Sequence, residues 1–165
     1  MEIYSENLLT AKYSVPVPLF REMAEEILAG VRGGEGEAAV LFVSDARIRE
    51  LNRSYRNADR ATDVLSFCLD GEEHSGGVLG DVYISLETAE RQAAERGETL
   101  AREILRLMIH GLLHLAGHTH DRSPEGEAMR ALEERLFERY RDRAAGAERL
   151  GGSGPPGEAE GERDA

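Results

Sequence analysis

Cysteine is nearly absent. The 165 residues contain one, Cys68, so no internal disulfide can form and no pair of thiolates exists to build a zinc site. A reducing compartment fits that usage. Long apolar runs are missing too: no stretch approaches the ~18 residues needed to span a bilayer. The N-terminus, Met1 to Pro18, also lacks a charged segment followed by an apolar one. The chain is therefore expected in the cytoplasm, with no membrane partner. Aromatic residues make up only 5% of the chain, which leaves the core to aliphatic side chains. An excess of positive charge is missing as well: 20 Lys and Arg stand against 32 Asp and Glu, a net charge of -12. Attraction to a polyanion is then not a property of the whole molecule, and any nucleic-acid contact must be local.

With 41% hydrophobic residues the chain can bury a core of its own, and its length suits one globular domain. Composition breaks only at Gly151. The last 15 residues hold five glycines, two prolines and no apolar side chain larger than alanine. The reading is a domain over 1–150 and a disordered acidic tail over 151–165. Within the domain, Glu2 to Leu8 reads as a strand. Leu19, Phe20, Met23, Ile27, Leu28 and Val31 recur at helical spacing after Pro16 and Pro18, and Gly33-Gly34 stops that helix. Ala38 to Val43 reads as a buried strand. Asp45 is suited to cap a helix with Ile48, Leu51 and Tyr55 on one face. Val64 to Leu69 and Val78 to Ser85 are further strands, separated by a Gly-rich acidic loop at Gly71 to Gly77. Three helices follow: Leu86 to Arg96, Thr99 to Ala116, and one opened by Ser123-Pro124. About four strands and five helices predict a single α+β domain, a small mixed sheet covered by helices. Leu100, Ile104, Leu107, Met108, Leu112 and Leu113 are its expected core, Met129 is expected to pack there, and Cys68 is expected to be a buried strand residue.

Four of the five histidines, His110, His114, His118 and His120, fall within eleven residues. His110 and His114 are one turn apart on one helix face, so two imidazoles can converge. Gly117 ends that helix and lets the chain turn back, and spacing favours His120 over His118 as a third ligand. His118 is expected to pack or face solvent, and His74, in the Gly-rich loop, to be a surface residue. The ligand spacing of HGLLHLAGHTH is that of the metzincin signature, with Gly111 where those proteases carry a glutamate base. Three imidazoles leave one zinc position open to water, the arrangement of a catalytic rather than a structural site, at the end of a central helix. Metal-dependent hydrolysis follows as an expectation; peptide hydrolysis in the metzincin manner does not.

Several segments, in order, resemble the YbeY family of rRNA-maturation endoribonucleases. HGLLHLAGHTH is similar to the family's zinc motif H-G-x-L-H-L-x-G-Y-D-H. LNRSYR and TDVLSF, within Leu51 to Phe67, resemble its arginine-bearing block and the strand after it. LGDVYIS, Leu79 to Ser85, resembles L-G-D-I-x-I-S, and Met129 with Glu133 continues its downstream helix. The resemblance covers roughly residues 2 to 140. It implies a zinc-dependent, single-strand-specific endoribonuclease that acts in 3'-end maturation of the small-subunit (16S) rRNA and in ribosome quality control. Its partners would be single-stranded rRNA and the small ribosomal subunit or a ribosomal protein. It implies one Zn2+ held by His110, His114 and His120, with Arg56 and His114 as catalytic residues. Thr119 and Cys68 depart from the motif's aspartate and from the proline after Ser-Phe; Asp121 stands where it could compensate for Thr119.

A guanidinium offers paired donors matched to two phosphate oxygens, which suits Arg56 to clamp a phosphodiester. Arg47, Arg49, Arg53, Arg56 and Arg60 outnumber the acids between Asp45 and Arg60, a local patch able to track an RNA backbone. Asp63 and Asp81 are strand-end carboxylates, more in keeping with turns or caps than with catalysis. Attack by a zinc-bound water and attack by the RNA 2'-hydroxyl both stay open. Two other functions do as well: a metal-dependent hydrolase of another substrate, and a non-catalytic, zinc-containing ribosome assembly factor.

Overall fold

Burial alternates along the strands as period-two patterning requires. Ala38, Val40 and Phe42 are buried while Ala39 and Leu41 between them are only half-buried, so one sheet face is packed and the other partly open. The computed structural model describes residues 1–5, 12–32, 36–69, 78–118 and 122–150. In chain order its elements are β1 (Glu2–Ser5), α1 (Val17–Arg32), β2 (Glu37–Val43), α2 (Asp45–Arg56), β3 (Val64–Cys68) and β4 (Val78–Ser85). The helices α3 (Leu86–Arg96), α4 (Leu100–Leu115) and α5 (Pro124–Leu150) complete it. The sheet order is β1-β2-β4-β3. β1, β2 and β4 run parallel, and β3 lies antiparallel to β4 on the rim. The expected α+β class is the one observed. Residues 6–8 of the expected first strand, the Gly33-Gly34 stop, the Gly71–Gly77 loop and the tail lie outside the described residues.

One sheet face is closed by α1 and α4, and α5 packs along α4. Leu105, Met108, Ile109, Leu112 and Leu113 of α4 are buried with Phe20, Met23 and Ile27 of α1 against Val40, Phe42, Val82 and Ile84. Met129 is wholly buried in this core, and Leu100 packs at its margin. On the opposite face, register lines up Leu41 of β2, Asp81 and Tyr83 of β4, and Leu65 and Phe67 of β3. All are half-buried; among the described residues α2 crosses that side, near β3 and β4.

Ser44, not Asp45, caps α2: its hydroxyl accepts from the Arg47 N–H at 3.2 Å. Asp45 is the first helical residue and ties two helix starts together. Its Oδ1 accepts from the hydroxyls of Ser85 and Thr88, both at 2.6 Å, and its Oδ2 from Arg91 at 2.8 Å. Its own N–H donates to Glu87 Oε1 at 2.9 Å. Both helices leave the ends of adjacent parallel strands, so their starts lie side by side: Glu87 of α3 accepts an amide of α2, and Asp45 of α2 holds the hydroxyls at the start of α3. Tyr55 also departs from the expected face. Ile48 and Leu51 are buried, but Tyr55, in the last turn of α2, lies against Phe67 on the rim strand and is 70% exposed. Among the described residues no helix is long and apolar enough to cross a membrane.

Candidate metal and phosphate site

α4 is buried nearly all round, and His110 and His114 occupy the stripe that emerges beside β3. Their rings meet edge to face with centroids 4.6 Å apart, and their Nε2 atoms are 3.1 Å apart. A tetrahedral zinc ion with 2.0–2.1 Å bonds separates two ligand nitrogens by about 3.3 to 3.4 Å. The two donors therefore stand within a few tenths of an ångström of ligand spacing and fit such an ion.

Glu133 on α5 sets the chemistry of the first donor. Its Oε1 lies 2.7 Å from His110 Nδ1. An ionised carboxylate can only accept, so the neutral His110 ring bonded to it carries its proton on Nδ1 and leaves the Nε2 lone pair for a ligand on the His114 side. Glu133 is a site residue whose role sequence reasoning missed. The available signal was its place one helical turn after Met129: a buried methionine there carries the next turn toward α4.

Gly111 explains why no glutamate can follow His110. A β-carbon at this position would lie 2.4 Å from Val82 Cγ1 and 3.2 Å from Ser66 Oγ. The helix backbone is pressed against the sheet, and Ser66 Oγ donates to the Gly111 carbonyl at 3.3 Å. That close approach brings the imidazoles level with β3. Gly117 adopts φ +94, as the expected reversal requires. Its N–H donates to the His114 carbonyl and that of His118 to the Leu113 carbonyl, both at 3.0 Å, which closes the helix in a Schellman turn.

Arg56 reaches the same place from α2. Its Nη2 donates to the Ser66 carbonyl at 2.8 Å, and its guanidinium lies 5.4 Å from the centre of the Phe67 ring. Arg56, His110 and His114 line one 260 Å3 pocket with Val64, Leu65, Ser66 and Cys68. Cys68 is exposed rather than buried as expected: it ends the rim strand, and its thiol contacts the His114 carbonyl at 3.6 Å.

His74, Thr119, His120 and Asp121 lie outside the described residues. Among the described residues no cluster of three or more His, Cys, Asp or Glu side chains is arranged to hold an ion. His118 is half-buried. Asp63 fastens the start of β3, accepting from Val64 N–H at 2.7 Å and from Gln92 at 3.3 Å. Asp81 faces the open side of the sheet, where burial raises its pKa above the ordinary carboxylate value. Neither acid lines the pocket. Within the arginine patch, Arg49 is engaged by Asp59 at 2.9 Å and Arg47 by Glu50 at 3.3 Å, which reduces the charge it can offer RNA.

A family model described as endoribonuclease YbeY matches residues 10–141. The endoribonuclease YbeY of Pelotomaculum thermopropionicum is 47% identical over 127 residues, covering 73% of this chain and 84% of that protein. The one from Persephonella marina is 40% identical over 131 residues, covering 78% and 86%. The solution structure of a Thermotoga maritima protein superposes with a TM-score of 0.63 at 31% identity, covering 95% of this chain and 98% of that one.

Proposed function

Because the chain belongs to the YbeY family of endoribonucleases, we propose that it is a zinc-dependent endoribonuclease that cuts single-stranded RNA in 3'-end maturation of the small-subunit rRNA. Ribosome quality control is part of the same role, and the small ribosomal subunit or one of its proteins delivers the substrate in the cytoplasm. The observation that carries this reading is the meeting, in one pocket, of the Arg56 guanidinium and a pair of converging imidazoles.

His110 and His114 would hold the ion through Nε2, with His120 as the third ligand. When bound, zinc supplies Lewis-acid polarisation of a phosphoryl oxygen and an acidified water. The protein's own groups do the rest. Glu133 keeps the His110 proton on Nδ1, so the ring cannot turn its protonated nitrogen toward the site. Arg56 spends one of its five N–H donors on the Ser66 carbonyl, which fixes the plane of the guanidinium. The remaining fork can receive two non-bridging phosphate oxygens and stabilise the charge that grows on them. Gly111 leaves no room for a glutamate base, which weighs against peptide hydrolysis.

The test pairs metal analysis of protein purified without added metal with cleavage of a precursor rRNA 3' end. About one zinc per chain and loss of cleavage in His110→Ala are expected. Metal-free protein that still cuts, or mature rRNA ends in cells carrying only His110→Ala, would overturn the reading.

A further inference from the structure

The open face of the sheet carries three aromatic rings in a row. Tyr55, from the last turn of α2, meets Phe67 of β3 edge-on with centroids 5.4 Å apart, and Phe67 meets Tyr83 of β4 at 5.7 Å. Phe67 and Tyr83 are half-buried by one another and by α2, whereas Tyr55 is 70% exposed. The row ends at Arg56, whose guanidinium stacks on Phe67 while the same residue lines the histidine pocket. That pocket wraps the rim of the sheet: Val64, Ser66 and Cys68 contribute from the α4 side and Leu65 from the open side.

We infer that this row is a stacking platform for the substrate strand, with one RNA base laid on the exposed Tyr55 ring and the adjoining phosphate turned over the rim of β3 to Arg56. The inference rests on the ribonuclease reading above and deepens it by naming where the strand lies. A base presents an apolar π-face that an exposed tyrosine ring can cover whatever the sequence. Charge on the platform orients the strand. Asp81 sits directly opposite Phe67 in the register and repels phosphate, while Arg56 stands at the α2 end of the row in an otherwise acidic chain. Bases then face the rings and the backbone turns toward Arg56. A duplex cannot offer a base face to Tyr55 without unstacking, so the platform gives single-strand preference a physical cause.

The chain has no tryptophan, so Tyr55→Trp installs a single fluorescent reporter at the contact. The experiment uses the full-length chain carrying His110→Ala, so that RNA is bound without being cut, with a single-stranded oligoribonucleotide and its duplex as probes. The expected result is emission quenched by the single strand and not by the duplex. Tyr55→Ala is expected to weaken single-strand affinity by about 5- to 140-fold and Tyr55→Phe by no more than about twofold. Absence of quenching, with affinity unchanged by Tyr55→Ala while the chain with His110 intact cuts RNA, overturns the platform and leaves the ribonuclease reading standing. A chain that neither binds nor cuts single-stranded RNA overturns both. Unchanged RNA affinity with lost binding to the small ribosomal subunit would assign the rings to a protein partner and also overturn the platform.

Discussion

Glu133 and His110 are joined across two helices by one 2.7 Å hydrogen bond, carboxylate to Nδ1. Glu133→Gln keeps the shape of the side chain but removes the charge, and its amide can present a donor where an acceptor is needed. Zinc affinity is expected to fall by about 10- to 100-fold, with the unfolding midpoint of the metal-free chain little changed. Competition against a chromophoric chelator measures the first and urea unfolding the second. Full affinity in Glu133→Gln would show that the bond does not orient the ligand.

Helix interiors normally gain about 1 kcal/mol when glycine becomes alanine. At Gly111 the sign reverses, because the new methyl would meet the stiff, wholly buried Val82 side chain at 2.4 Å. Gly111→Ala is expected to cost about 1–3 kcal/mol as α4 is pushed off the sheet. Val82→Ala, costly alone, should recover part of that loss in the double variant, so the two changes will not add. Denaturation of the four chains gives the coupling directly.

Lysine at position 56 keeps the charge and loses the fork. It cannot hold the Ser66 carbonyl, stack on Phe67 and bracket a phosphate together, as the arginine is placed to do. Arg56→Lys is expected to lower kcat on single-stranded RNA by about 10- to 100-fold. Because the side chain is exposed, the unfolding midpoint should stay where it is. A variant that cuts as fast as the parent would remove Arg56 from the chemistry.

Burial works against the charge on Asp45, but the hydrogen bonds from Ser85, Thr88 and Arg91 outweigh it and hold the carboxyl below its ordinary pKa of 3.8. A depressed native pKa means that the contribution is complete above the unfolded value and fades as the pH falls through the native one. Asp45→Ala is therefore expected to cost about 1.5–3 kcal/mol at pH 7, and the gap between the two chains should narrow in acid below about pH 4. Urea midpoints at pH 7 and pH 3 test this; a gap that stayed constant would place the loss in packing rather than charge.

Much of this fold can be read from periodicity. The two strands at Ala38 and Val78, the helix over Thr99 to Ala116 and its glycine stop all follow from local patterning, and the observed boundaries agree within a residue or two. What periodicity could not convey was relative placement. Tyr55 shares a helical face with Ile48 and Leu51, yet it lies over the rim strand, edge-on to Phe67, and stays 70% exposed. Cys68 sits in an apolar strand, yet that strand lies on the rim. The pairing of His110 with His114 is a one-turn relation and was legible. The link to Glu133 spans 23 residues and two helices, and the approach of Arg56 depends on strand order; neither is written in any short window.

The rim of β3 has one further consequence. An outermost strand offers unpaired carbonyls and amides to any extended chain that drifts past, which is how sheets recruit one another into aggregates. By occupying the Ser66 carbonyl with a charged side chain, Arg56 takes one of those docking points away and puts a repulsive head group beside it. The residue suited to gripping substrate also keeps neighbouring copies from zipping together, so its loss would be felt in solubility as well as in turnover.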